Sequence, residues 1–189
     1  MKDKLIRAIY SLTWFSARWY QFTMWLSKKP GARVREYSNI EEIIGAMNYG
    51  KLYQQDEIFN IKSDHMTHPG ALQLKLDNGK GFGDCDDHAI YWCAALLKSG
   101  LAKKVWIGIF TMKNDKGYSG HAICVFEDMD HELNWCDYRM PTKIEKMSDF
   151  QNQSAERFGK QAICGAIWHV THLKNDDTPV FGKITKVLP

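Results

Sequence analysis

The chain has 189 residues, of which 44% are hydrophobic and seven are tryptophan, enough for one domain with a substantial core. Its 25 Lys and Arg against 22 Asp and Glu leave a formal charge of +3, too small for a general nucleic-acid footprint. Five cysteines, an odd count with no CxxC pair, argue against a disulfide framework and fit a reducing compartment such as the cytoplasm.

The charge is concentrated at the start. Residues 1–30 hold six basic side chains against Asp3 alone, a net +5, which leaves −2 for the remainder. Residues 8–26 predict a helix rich in aromatic side chains. Arg18 and Gln21 interrupt it and no small-residue cleavage site follows, so it reads neither as a secretory signal nor as a good spanning helix. Leu5, Ile9, Leu12, Trp19, Phe22 and Leu26 share one stripe at helical spacing, the stripe expected to pack inward. The opposite face carries Arg7, Ser11, Trp14, Arg18, Gln21 and Trp25, a mixture suited to a membrane interface or a partner's groove. Lys28-Lys29-Pro30-Gly31 ends the helix. Residues 1–30 are therefore read as an amphipathic helix that serves attachment or packs on its own domain, and 31–189 as the remaining domain.

Residues 38–53 predict a second helix, with Ser38 and Asn39 as caps and Glu41 and Glu42 in the first turn. His68-Pro69-Gly70 and Asp77-Asn78-Gly79 mark turns, and Leu72, Leu74 and Leu76 between them alternate like a short strand. A further helix begins at Cys85. Asp84 is its expected N-cap, Asp87 the expected partner in a capping box, and Gly100 its stop. Cys85 falls on the first helical position, where unpaired backbone N–H groups and the helix dipole favour a thiolate. The flanking aspartates oppose that charge, so an imidazolium partner is needed.

Beyond Gly100 the hydrophobic period becomes two. Strands are predicted over 105–110, 121–126, 134–139, 162–171 and 178–187, giving an antiparallel sheet with a helix packed on it. A hairpin turning near residue 130 sets His121 opposite residues 137 to 139, which makes His121 and Asp137 cross-strand neighbours. A thiol, an imidazole and a carboxylate in this order are the parts of a nucleophile, its base and the group that orients the base. Cys124 and Cys136 read as buried strand residues. His65 with His68, and His169 with His172, are poor metal pairs, and no metal or cofactor is expected. His88, one turn from Cys85, is read as solvent-facing.

Gly83-Asp84-Cys85-Asp86-Asp87-His88-Ala89, Gly120-His121-Ala122 and Trp135-Cys136-Asp137 together resemble the transglutaminase-like superfamily of papain-like cysteine enzymes, and its bacterial and bacteriophage peptidases in particular. The resemblance covers roughly residues 65–140. It implies an α+β core of papain-like type, with a Cys-headed helix on an antiparallel sheet, and the N-terminal aromatic helix outside that core. It also implies Cys85 as nucleophile, His121 as base and Asp137 as orienting acid. The second oxyanion donor is not evident, with Tyr49, Tyr53 and Gln73 as its candidates. The expected activity is cleavage of an amide or isopeptide bond in a protein or peptide through a Cys85 acyl-enzyme. Alternatives are a protein-glutamine acyltransferase using the same triad, and a structural, virion- or membrane-associated binding protein attached through residues 1–30.

Overall fold

The computed structural model describes residues 13–47, 57–58, 61–62, 66–80, 82–137 and 140–186. Their architecture is α+β, with five helices and a six-stranded antiparallel sheet among the described residues. The helices are α1 (Thr13–Ser27), α2 (Ile40–Met47), α3 (Pro69–Asp77), α4 (Cys85–Lys98) and α5 (Asp149–Arg157). The strands are β1 (Glu57–Ile58), β2 (Ile61–Lys62), β3 (Ala102–Asn114), β4 (Gly117–Asp128), β5 (Leu133–Cys136), β6 (Thr142–Ile144), β7 (Gln161–Leu173) and β8 (Pro179–Lys186). β1 and β2 form a separate small ribbon, and the main sheet runs β6-β5-β4-β3-β7-β8.

Side-chain alternation splits the sheet into two faces. One face presents Val105, Ile107, Ala122, Cys124, Phe126, Cys136 and Ala166 to α4, whose residues from Asp86 to Leu96 are all buried. Burial of a helix on all of its faces marks it as the centre of the core. The other face presents Phe110, Ile123, Val125, Trp135 and Ile167 to α5, through Phe150 and Ala155. Gly108 admits α5 closely, because a Cβ there would lie 2.9 Å from the Phe150 ring.

Three sequence expectations are revised. Residues 72–76 are helical. The His68 Nδ1 accepts from the Gly70 N–H at 3.1 Å, Pro69 occupies the first turn, and Leu72 and Leu76 share a helical face that alternation disguised. The capping box at α4 is absent: Asp84 is the N-cap residue but makes no side-chain cap bond, and Asp87 Oδ1 instead accepts from the Thr67 N–H at 2.6 Å. The third revision concerns α1, which is rotated from its expected pose. Tyr20, Thr23 and Met24 face inward, and Thr23 Oγ1 donates to the Met66 carbonyl, whereas Trp19, Phe22 and Leu26 face outward beside Trp25. One face of α1 therefore belongs to the main core. The part of the N-terminal helix before Thr13, and the expected helical turn at 48–53, lie outside the described residues. No helix among the described residues is long and apolar enough to cross a membrane.

Candidate active site

Cys85 takes the first position of α4, partly exposed, while Cys93, Cys124, Cys136 and Cys164 are buried. Burial drives the Cys93, Cys124 and Cys136 thiols upward, so these three stay protonated and inert. Gly83, two residues before Cys85, has a φ of +152°, which lies in territory reserved for glycine. The Asp84, Cys85 and Asp86 side chains bring their polar atoms within 4.8 Å of one another.

The acidic residues around the thiol are less opposed to a thiolate than their formal charges suggest. Asp86 is buried, and its carboxyl is pushed well above the usual carboxylate range by burial first and then by Asp84 and Asp87. Asp87 is pushed up to about 7 by burial, against the pull of the Thr67 N–H and Lys75. Burial thus favours the neutral form of Asp86 over a buried charge.

This shift makes a testable statement about stability. Asp87 titrates near 7 when folded and near the ordinary 3.8 when unfolded, so the folded state holds the proton more tightly. Its contribution is complete below about pH 4 and is lost as pH rises through 7. Asp87→Asn keeps an oxygen for the Thr67 N–H and carries no titratable group. The variant should gain roughly 5 °C in Tm over the parent at pH 8 and nothing at pH 4, read by thermal melts across pH. A constant difference would mean that the carboxyl does not titrate in that window.

His121 and Asp137 do meet. β4 and β5 pair Cys124 with Cys136, so one step further Ile123 stands opposite Asp137 and His121 lies on the diagonal. His121 Nε2 and Asp137 Oδ2 are 3.8 Å apart and both side chains are buried. Two residues absent from the sequence reading complete this arrangement. The Arg157 Nη1 lies 3.4 Å from Asp137 Oδ1, its guanidinium sits 4.0 Å over the Trp135 ring, and its Nη2 donates to Thr142 Oγ1. Phe158 meets the His121 ring edge-to-face at 4.9 Å, and Phe110 does so at 5.8 Å. Both belong to the α5 side. The alternation of β4 accordingly turns His121 toward α5, while Cys85 packs with the cluster on the α4 side.

His88 lies one turn from Cys85 on α4. It is buried, not solvent-facing, with its ring 4.7 Å from Phe82. Burial lowers it to about 3, Asp137 draws it up and His121 pushes it down, so the first turn of α4 is electrostatically in touch with the His121–Asp137 pair. Gln73 is occupied elsewhere: its Oε1 accepts from the Arg35 N–H and the Tyr91 hydroxyl, and its Nε2 donates to Asp77. It is therefore no oxyanion donor, and Tyr49 and Tyr53 lie outside the described residues. Of the paired histidines, His68 caps α3 and reaches Thr178 at 3.1 Å, and His169 stacks on Trp106 at 5.4 Å. His65 lies outside the described residues.

Compared with known protein families and with characterised proteins, the chain matches none.

Proposed function

We propose that the chain is a cysteine hydrolase of the transglutaminase-like, papain-like type, cleaving an amide or isopeptide bond in a protein or peptide. The observation that carries this reading is the setting of Cys85. It alone of the five cysteines is partly exposed, at a helix N-terminus, one turn from the buried His88 imidazole, which feels the charges of the buried His121–Asp137 pair that the part-buried Arg157 backs. In the reaction the Cys85 sulfur bonds to the carbonyl carbon, and the developing oxyanion takes the Cys85 backbone N–H. As the C–N bond breaks, the imidazolium of His121 returns a proton to the leaving amine. Water then cleaves the thioester, with His121 now taking its proton. Asp137, itself held by Arg157, positions His121. An amine in place of water would make the same acyl-enzyme an acyltransferase.

A second reading is a binding protein on this fold that does no chemistry. It is favoured by one observation, the packing of the His121 ring edge-to-face against Phe110 and Phe158.

Alkylation at pH 6 separates the two, because an ordinary thiol is almost wholly protonated there. Cys85 should react faster than free cysteine, and His121→Gln should slow it to the rate of free cysteine. Asp137→Asn should leave an intermediate rate, since the carboxylate orients the ring without taking part in bond making. A Cys85 rate equal to that of free cysteine in the unsubstituted protein would leave only the binding reading.

A further inference from the structure

The outer face of α1 holds four of the nine exposed large hydrophobic side chains among the described residues. Trp25 is 67% exposed and Leu26 60%, and Trp19 and Phe22 are each nearly half exposed. Trp19, Phe22 and Trp25 form a ladder one turn apart, with ring centroids separated by 6.1 and 6.0 Å. Aromatic side chains gain little in water from such exposure, and a contiguous patch of them on a chain of this size marks a contact surface. The ladder is not a failed core stripe, because the same helix already buries Met24 completely on its other side.

The surroundings of the ladder are cationic. A groove of about 450 Å³ opens beside Trp25, lined also by Lys28, Lys29, Arg33 and Asp176. Lys28 is paired with Asp176 at 2.6 Å, which leaves Lys29 and Arg33 as its exposed cations. A second groove, on the other side of Lys29, adds Lys75 and Lys80. Arg18 is exposed next to Trp19 on the helix.

We propose that this face of α1 docks on an anionic lipid membrane, lying in the interface without crossing it. Trp19, Phe22, Trp25 and Leu26 enter the boundary between headgroups and acyl chains, where amphipathic rings are most stable. Lys29 and Arg33 meet lipid phosphates at the rim. The charge pattern selects this occupant over an apolar protein groove. Cations beside the Trp25 end of an aromatic face complement a sheet of anionic headgroups, whose attraction adds per basic residue and is weakened by salt.

Co-sedimentation of the full chain with vesicles tests this. The protein should pellet with vesicles of phosphatidylcholine plus phosphatidylglycerol, and far less with phosphatidylcholine alone or in high salt. Phe22→Ser with Trp25→Ser removes only exposed rings, so the fold is spared, and should lower the partition coefficient by about tenfold or more. Lys29→Glu with Arg33→Glu should abolish the preference for anionic vesicles. Binding that ignores both double variants, or no binding at all, overturns the proposal. So does light scattering that finds a dimer which Phe22→Ser with Trp25→Ser converts to monomer while vesicles fail to compete, for the face would then join two copies of this chain.

Discussion

If the proposed hydrolase reading holds, Cys85→Ala loses hydrolytic turnover by about 10⁴-fold or more while its melting curve stays close to that of the parent. The first half follows from covalent catalysis: without the sulfur no acyl-enzyme forms, and His121 and Asp137 have nothing to activate. The second half follows from position. Cys85 is partly exposed at the head of α4, and alanine is the best helix former, so little packing or propensity is lost. Turnover is read with peptide and isopeptide pools by mass spectrometry, and the fold by circular dichroism. Retained turnover in a folded Cys85→Ala protein would require another nucleophile, and the remaining cysteines are all buried.

Gly83→Ala should damage the protein through the fold. At Gly83 φ is +152°, and an added Cβ would lie 2.1 Å from Asp87 Oδ2 and 2.5 Å from Asp87 Cβ. The second contact is close to the backbone of α4, so rotation of the Asp87 side chain does not relieve it. Backbone strain and overlap together should cost about 3 kcal/mol or more, lowering Tm by about 10 °C for a chain of this size. Gly79→Ala is the control. Its φ is +62° but no atom lies within 4 Å of the new Cβ, so only about 1 kcal/mol of conformational strain applies. Equal losses at the two positions would show that the packing of Asp87 against Gly83 does not limit stability.

Much of the scaffold was legible because its signals are local. The period-two runs from Val105 onward mark β3, β4, β7 and β8, although the strands extend beyond the apolar stretches into their polar ends. The hairpin that brings His121 near Asp137 was legible for the same reason, since a turn near residue 130 sets the register by counting. The position of Cys85 at a helix head was legible from Gly83, Asp84 and the apolar run behind them.

Other features depended on contacts between distant segments. Helix α5 has polar residues at most of its positions and only Phe150 and Ala155 to bury with apolar character, so its pattern is faint. With it went Arg157 and Phe158, the two residues that flank the His121–Asp137 pair. Leu72, Leu74 and Leu76 fit a strand and a helix equally well over so short a run, and the His68 cap with Pro69 decided for the helix.

The sequence by itself determined the α+β class, the antiparallel sheet, the helix led by Cys85 and the proximity of His121 to Asp137, because periodicity, caps and turn chemistry act within a few residues of one another. Tertiary structure alone decided which way each of these elements faces. It buried His88, turned His121 toward α5, set Arg157 against Asp137, and rotated α1 so that Met24 fills the core and Trp25 stands in solvent. The physical reason is that an amphipathic or all-apolar element has more than one face able to pack. Only the space left by the rest of the chain selects between them.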